Sequence, residues 1–559
     1  MFAEKIIETR QCKKCWSSFN ITDRDMEFYD KISPVFAWKK YLFSLPSFCP
    51  NCRQQRRLSF RNERKLYRRK CDLTGKEMIT LYSPDKPYTV YDQKVRWDGD
   101  RSPTDYGRDF DSGRPFSDQL DELLMEVPHI STGLTNPQNC DYTNYSVNCK
   151  NCYLSRRLWD SEDIYYSYLV LNSKDCIDCY YITLCENNYE LIDCESCSNS
   201  RFSQNCSKCY DVAFCYACNG CNSCFGCVSL QNQKHCFFNT QLSEEEYKKA
   251  IEEMNDIEAI KVKFKQHKIK FPHRENMNAR SENVVGNILT NCKNVFYGFD
   301  CDNVEDGKYI CGDVDKDVMD GDFIFHGERV LDQLSTSHAN TTSFCYVTND
   351  SSNVLYSFYT VNSHNIFGCA FMKDKEYCIL NKQYTKAEYE KLVPQIIEHM
   401  KKTGERWEFL SPSISAFGYN ETVAMEYYPL SKEEALKQWF KRSDYESPTP
   451  KVEKTVRADE IANIREISDD ILNQAIICEV TGKPFRIIKP ELEFYRRHGL
   501  PLPKRHPDQR HFDHVAMRNP RKLRDRKCMK CWIDIKTSYS PERPEIVYCE
   551  KCYDHEVYG

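Results

Sequence analysis

The stretch Cys194-Glu-Ser-Cys197-Ser-Asn-Ser200-Arg-Phe-Ser203-Gln-Asn-Cys206-Ser-Lys-Cys209 decides the fold, because every third residue is a cysteine or a serine. All sixteen cysteines from Cys140 to Cys236 keep the same frame. A 3.6-residue helix and a two-residue strand both fail to repeat on every third position. The remaining members of the frame include Thr143, Ser146, Ser155, Leu158, Ile164, Val170, Ile182 and Val212, and none is charged or aromatic. The frame therefore lines a narrow interior, while tyrosines, charges, Asn and Asp fill the other two frames and face outward.

Cys185, Cys197, Cys209 and Cys221 recur at twelve, so four triplets per coil is the expected repeat and a tight solenoid the expected form. Twelve extended residues enclose a perimeter of only ~40 Å, which accommodates Cys, Ser and Val but not Phe. Coils of nine, fifteen or eighteen share the period, as do bundled polyproline-II segments. Phe225-Gly226-Cys227, Cys236, Asn239 and Gln241 recur with the same spacing as Phe367-Gly368-Cys369, Cys378, Asn381 and Gln383, which predicts a second solenoid. Its interior frame, from Val318 through Ile324, Val330, Thr336, Cys345 and Val354 to Ile366, places Val, Ile, Thr and Ser where the first copy uses cysteine. Valine cannot replace a metal ligand but can replace a packed thiol, so the solenoid cysteines read as core filling.

Outward from the solenoids, Cys12-x-x-Cys15 with Cys49-x-x-Cys52, and Cys528-x-x-Cys531 with Cys549-x-x-Cys552, have the spacing by which ribbons hold zinc tetrahedrally. The two terminal modules are duplicates: Phe28-Tyr29 matches Phe494-Tyr495, Arg61-Asn62 matches Arg518-Asn519, and Ser83-Pro84 matches Ser540-Pro541. The alignment leaves two decayed sites, Cys71/Thr74/Asp92/Val95 and Cys478/Thr481/His506/Gln509, so two Zn2+ per chain are expected.

The fold class is then mainly β: two tandem narrow Cys-rich solenoids with helical caps, flanked by duplicated zinc-ribbon modules. The expected boundaries are a ribbon module at 1–100, a connecting segment at 101–138, solenoid 1 at 139–242, a cap and linker at 243–282, solenoid 2 at 283–384, a cap region at 385–446, a linker at 447–475 and a second ribbon module at 476–559. Ser243-Glu-Glu-Glu246 and Thr385 open the cap helices. Ser447-Pro-Thr-Pro450 should loosen the attachment of the last ribbon.

Arg53, Arg56, Arg57, Arg61, Arg64, Lys65, Arg68 and Arg69 crowd the first module, and Arg518, Arg521, Lys522 and Arg524 the second. Arg57, Arg61, Arg64 and Arg68 would share one helical face. Two readings carry equal weight: contact with nucleic-acid phosphates, or neutralisation of the four-thiolate metal sites. Tyr153 with Tyr165, and Tyr168 with Tyr180, could stack on bases or cover the coil beneath.

The combination Cys-Pro-x-Cys-Arg, Arg-Asn-Glu-Arg-Lys-Leu, Tyr-Ser-Pro-Asp-Lys-Pro, Asn-Cys-x-Asn-Cys-Tyr and Gly-Tyr-Asn-Glu-Thr-Val-Ala resembles uncharacterised cysteine-rich zinc-ribbon proteins typical of candidate-phylum bacteria and giant viruses. The resemblance implies ribbon zinc sites and brings no activity with it. It also implies cysteines where this chain has Thr481 and Gln509, in keeping with decay of that site.

The chain has 559 residues, 32 cysteines and a net charge of -5, with no 18-residue apolar run. Several domains, a cytoplasmic location with reduced thiols and no membrane span are expected. A wholly basic nucleic-acid coat is excluded, and basic patches are not. The leading expectation is a non-enzymatic zinc-binding scaffold gripping nucleic acid, RNA favoured, or a ribonucleoprotein. A protein-assembly scaffold without nucleic acid is the second reading. The third is a solenoid enzyme using Asp313, Asp315, Asp317, Asp320 and Asp322 to bind calcium or to act as acid and base on a glycoside. No phosphate loop, nucleophile elbow or His-Glu-x-x-His motif supports catalysis.

Overall fold

The computed structural model describes residues 4–97, 101–312, 316–325, 327–448, 450, 452 and 454–559. Two parallel β-solenoids form its body, each built as a sheet of thirteen strands, the first running from Leu134–Thr135 to Thr240–Gln241 and the second from Val285–Thr290 to Lys382–Gln383. Successive coils stack in a twelve-residue register: Tyr168 pairs with Tyr180 and Tyr180 with Ile192.

The period of three has a backbone cause. The residue before each interior position sits in the left-handed region, as at Asn148 (φ 52), Asn151 (φ 53), Asp178 (φ 54) and Asn199 (φ 51), so each triplet turns one corner and four triplets close a coil. Asn and Asp tolerate this region better than most L-residues, which is why they crowd the corner frame. Their side chains then ladder between coils, Asn136 donating to Asn148 (3.0 Å) and Asn148 to Asp160 (2.9 Å).

The inward position selects small donors. Cys194 Sγ donates to the Ile192 carbonyl (3.3 Å) and Cys206 Sγ to that of Gln204 (3.4 Å), while Ser203 Oγ makes the same bond to Arg201 (2.9 Å). Cys and Ser are thus interchangeable in size and in bonding, and Val fits wherever the carbonyl finds another partner. Burial pushes the thiols of Cys185, Cys301 and Cys369 up, which keeps them protonated. The second solenoid slips frame twice, each time through a coil one residue short: Ala279 pairs with Thr290 and Val285 with Phe296, and further on Gly307 pairs with Val318 and Ile310 with Gly321, so Leu289, Cys292, Val295 and Cys301 line the same core in a frame of their own.

Both cap helices carry the expected capping box, Ser243 on Glu244–Glu252 and Thr385 on Lys386–Thr403. Two connecting segments do more than connect. Helix Phe116–Glu126 sets Phe116 edge-on to Phe367 at 5.3 Å, over Gly368, where any Cβ would collide with the Phe116 ring. Strand Lys454–Arg457 pairs with Gln474–Ile477, and Ala458, Ile464 and Ile471 enter a core with Phe494 and Tyr495. Most of 454–475 therefore belongs to the C-terminal module instead of a loose linker, because its apolar side chains have a surface to cover. Thr449, in the Pro-rich segment, lies outside the described residues.

The terminal modules dock crosswise. The N-terminal module packs on the second solenoid, with Leu58 and Phe60 sharing a core with Phe323, Leu334 and Phe358. The C-terminal module packs on the first, with Phe494 and Tyr495 against Tyr165, Tyr166 and Tyr189.

Candidate metal centres and the arginine rows

Cys12 and Cys15 sit on a turn after strand Ile6–Gln11, and Cys49 caps helix Pro50–Leu58, whose first turn carries Cys52. The proline at the first helical position needs no backbone N–H there, and it sets the helix start at the knuckle. In the C-terminal module Cys528 and Cys531 follow strand Arg524–Lys527, and Cys549 caps Glu550–Val557. In each set the four Sγ atoms lie within 4.8 Å of one another, with Cys15–Cys49 at 3.6 Å and Cys531–Cys549 at 3.7 Å. A tetrahedron with metal–sulfur bonds of about 2.3 Å has sulfur–sulfur edges of about 3.8 Å, so both sets fit one four-thiolate metal ion. Hydrogen bonding from Cys52 pulls the Cys49 thiol down to about 6. Burial opposes ionisation of Cys528, yet the N–H groups of Cys531 and Cys549 outweigh it and bring that thiol to about 6 as well. Among the described residues no other group of three or more His, Cys, Asp or Glu converges this way.

The decayed sites keep one cysteine each as a hydrogen-bond acceptor. Asp92 N donates to Cys71 Sγ (3.3 Å), as Cys549 N donates to Cys528 Sγ (3.2 Å) in the intact counterpart. Thr481 N donates to Cys478 Sγ (3.4 Å), and His506 Nδ1 accepts the N–H of Asp508 (3.0 Å), capping the helix that Cys49 starts in the other module.

The arginine rows point inward. Arg53 meets Asp320 (2.8 Å), Arg57 meets Asp322 (2.9 Å) and Asp332 (2.8 Å), and Arg56 meets Asp332 and Glu408 (3.0 Å each). Arg57 is 0% exposed. Arg61 pairs with Glu63 (2.5 Å) and lies 3.7 Å from the Tyr145 ring centroid. Arg64 and Lys65 both bind Asp508 of the other module, Lys65 at 2.7 Å. Arg518 meets Asp193 (2.8 Å) and Asp300 (2.5 Å), and Arg521 meets Asp300 (2.8 Å). These eight cations are occupied by carboxylates, so phosphate contact through them is corrected to intramolecular docking. Of the other candidates, Arg69 binds Asp72 (3.0 Å) and the Tyr88 carbonyl (2.7 Å), Arg68 donates to Tyr142 Oη (2.9 Å) at the surface, Lys522 is exposed and Arg524 half-buried. The helical face drawn through Arg57, Arg61, Arg64 and Arg68 does not exist either, because the helix ends at Leu58 and Tyr67–Lys70 is a strand.

The aspartates expected as a catalytic cluster are the sockets for these cations. Asp317 takes Lys31 (2.5 Å), Asp320 takes Arg53 and Asp322 takes Arg57, while Asp313 and Asp315 lie outside the described residues. The tyrosine rows are covered too: Tyr180 stacks between His511 and His514 at 5.6 and 4.9 Å, Tyr165 and Tyr168 are buried, and Tyr153 is half-buried against the core of the C-terminal module.

One signal in the sequence could have revealed the docking. Arg510 is the duplicate of Arg53 and Asp178 the duplicate of Asp320, and Arg510 meets Asp178 at 2.5 Å as Arg53 meets Asp320. Likewise Lys308 meets Asp25 (2.8 Å) where Tyr166 meets Glu491. Paired duplication of opposite partners marks a contact copied whole. No family model matches this chain, and no curated protein matches it. No described helix is long and apolar enough to cross a membrane.

Proposed function

We propose that this protein is a non-enzymatic scaffold stapled by two zinc ions, in which the ribbon modules lock two solenoids into one body and present a binding surface away from the lock. The crosswise, duplicated set of buried ion pairs carries this reading, since it turns the conspicuous polar groups of both modules inward. Four thiolates at tetrahedral spacing suit zinc among the common metals. Of the carboxylates that would support catalysis, Asp320 and Asp322 are buried against guanidinium groups and Asp317 against the Lys31 ammonium, which favours a scaffold over an enzyme. Grip on nucleic acid through the arginine rows forms no part of the proposal.

Native mass spectrometry joined to small-angle scattering tests it. The wild type should carry two zinc ions in a compact particle. Replacing Arg53 and Arg510 together by Glu should keep both zinc ions and enlarge the radius of gyration as the modules leave the solenoids. An unchanged particle would mean that the ion pairs do not lock the body.

A further inference from the structure

The chain contains four copies of one knuckle turn, and their differences are informative. In each, the residue after the second ligand position donates its N–H to the carbonyl of the first: Trp16 to Cys12 (3.0 Å), Gly75 to Cys71 (2.8 Å), Gly482 to Cys478 (3.0 Å) and Trp532 to Cys528 (2.9 Å). All four take a left-handed φ, at 62, 69, 68 and 63° respectively. Glycine suits that conformation, and a bulky aromatic is a poor choice for it. The decayed knuckles have glycine. The two that keep four cysteines have tryptophan, and those indoles lie 73% (Trp16) and 70% (Trp532) exposed, so packing does not explain them. The second of the two residues between the ligand positions changes in step, Lys14 and Lys530 at the intact knuckles against Leu73 and Val480 at the decayed ones.

The pattern extends beyond the knuckles. Trp38 (φ 67, 100% exposed) and Trp439 (φ 63, 80% exposed) are also held outward in the left-handed region. Trp439 neighbours the Trp16 knuckle, because Lys14 Nζ lies 4.4 Å from the centroid of the adjacent Phe440 ring. Trp38 is followed by Lys39 and by Lys40, which pairs with Asp30 (2.8 Å), and Trp439 is flanked by Lys437 and by Lys441, which donates to the Ser415 carbonyl (2.9 Å). Lys14 also donates to Gln55 (2.8 Å) and Lys530 pairs with Glu556 (2.6 Å).

We infer that the two metal-bearing knuckles are stacking heads for single-stranded nucleic acid. The inference rests on the scaffold reading and names its partner. Exposed indoles placed singly beside lysines match a chain of flat bases joined by phosphates, whereas a protein partner would call for one contiguous apolar patch. Duplex bases hide their faces, and no base-reading group accompanies the indoles, so binding should be single-strand selective and sequence-tolerant.

The test uses the full-length, zinc-loaded protein with labelled oligo(dT) and oligo(rU) at low salt, read by fluorescence anisotropy and by quenching of tryptophan emission. Wild type should bind both and be quenched. Trp16→Gly or Trp532→Gly installs the residue of the decayed knuckles, so folding and a zinc count of two should survive while affinity falls roughly tenfold each. Lys14→Leu, also borrowed from a decayed knuckle, should weaken binding less and flatten its salt dependence. Wild type that fails to bind either oligomer, or a Trp16→Gly/Trp532→Gly protein that binds like wild type, overturns the inference, including where those indoles instead crosslink to a protein. With two zinc ions and a compact particle still observed, such a result sinks the stacking heads alone. Loss of zinc or of compactness in the wild type would instead sink the scaffold.

Discussion

The N-terminal module on the second solenoid and the C-terminal module on the first are the same dock held by different means. In the first, a four-thiolate set grips the start of the docking helix at Cys49 and Cys52, one residue ahead of Arg53. In the second, the equivalent helix Pro507–Met517 starts at His506 without a metal set, and Arg510 still reaches Asp178. The surviving metal set lies instead where Glu550–Val557 backs strand Ile546–Tyr548, which pairs with Pro272–Arg274 beyond the first solenoid. A four-thiolate set at the docking helix is therefore dispensable once a cap and a packed core hold its first turn. Each module retains one metal set, at opposite ends.

The comparison breaks most readily at the ligands. Cys49→Ser should remove one of two zinc ions and unfold the first module together with its dock, a loss of order 10 kcal/mol of metal-linked folding energy. Cys478→Ser, at the one cysteine left in the decayed set of the metal-free dock, should leave the zinc count at two and cost about 1 kcal/mol for one weakened hydrogen bond. Native mass spectrometry and hydrogen exchange across Pro50–Leu58 and Pro507–Met517 distinguish the two outcomes.

Next come the ion pairs. Arg53→Met leaves buried Asp320 with only Arg57 at 3.6 Å, and Arg510→Met takes from Asp178 its guanidinium partner, so each should cost about 3–5 kcal/mol, the first less than the second. In a double-mutant cycle, Asp320→Asn should cost little more once Arg53 is gone, whereas Asp178→Asn should add its full cost to Arg53→Met. Near-equal coupling energies for the two pairs would confirm a copied contact; coupling in one pair alone would show that the docks have diverged in energy as well as in metal.

Smaller effects follow with pH. Burial lowers the imidazole of His129, beside the first dock, and that of His273, beside the second, to about 4 each. The unfolded chain would take up these protons near pH 6.5 and the folded one only near 4. The unfolded state thus binds more protons between those values, so stability is full above pH ~6.5 and falls as pH drops towards 4. Denaturant titrations at pH 7 and 5 should show it, and His129→Gln and His273→Gln should each flatten the slope.

The smallest effect belongs to the solenoid interior. Cys194→Ser should change stability by less than about 1 kcal/mol, since Ser203 already makes the same bond three triplets along. Thiol reagents should label these cysteines slowly in the native protein and completely after unfolding without reductant.

The interior frame, the twelve-residue coil, the capping boxes and both four-cysteine sets were legible in the sequence because each is local: a period, a cap or a knuckle is set by neighbours along the chain. Even the decay of two sites could be read at Val95 and Gln509, side chains unsuited to completing a zinc tetrahedron. The partners of the arginines were not legible. Arg53 and Asp320, or Arg510 and Asp178, lie hundreds of residues apart, and a guanidinium on a surface helix looks the same in sequence whether it will face a phosphate or a buried carboxylate. The tyrosines Tyr168 and Tyr180 occupy an outward frame as the period requires, but outward from a coil became inward to the molecule once a module covered them. Composition and spacing thus determined what each segment could fold into and which side chains could hold metal. Only the tertiary structure decided which charges would neutralise one another and which aromatics would stay in water, because burial depends on what packs across a surface, and the chain returns to that surface from its far end.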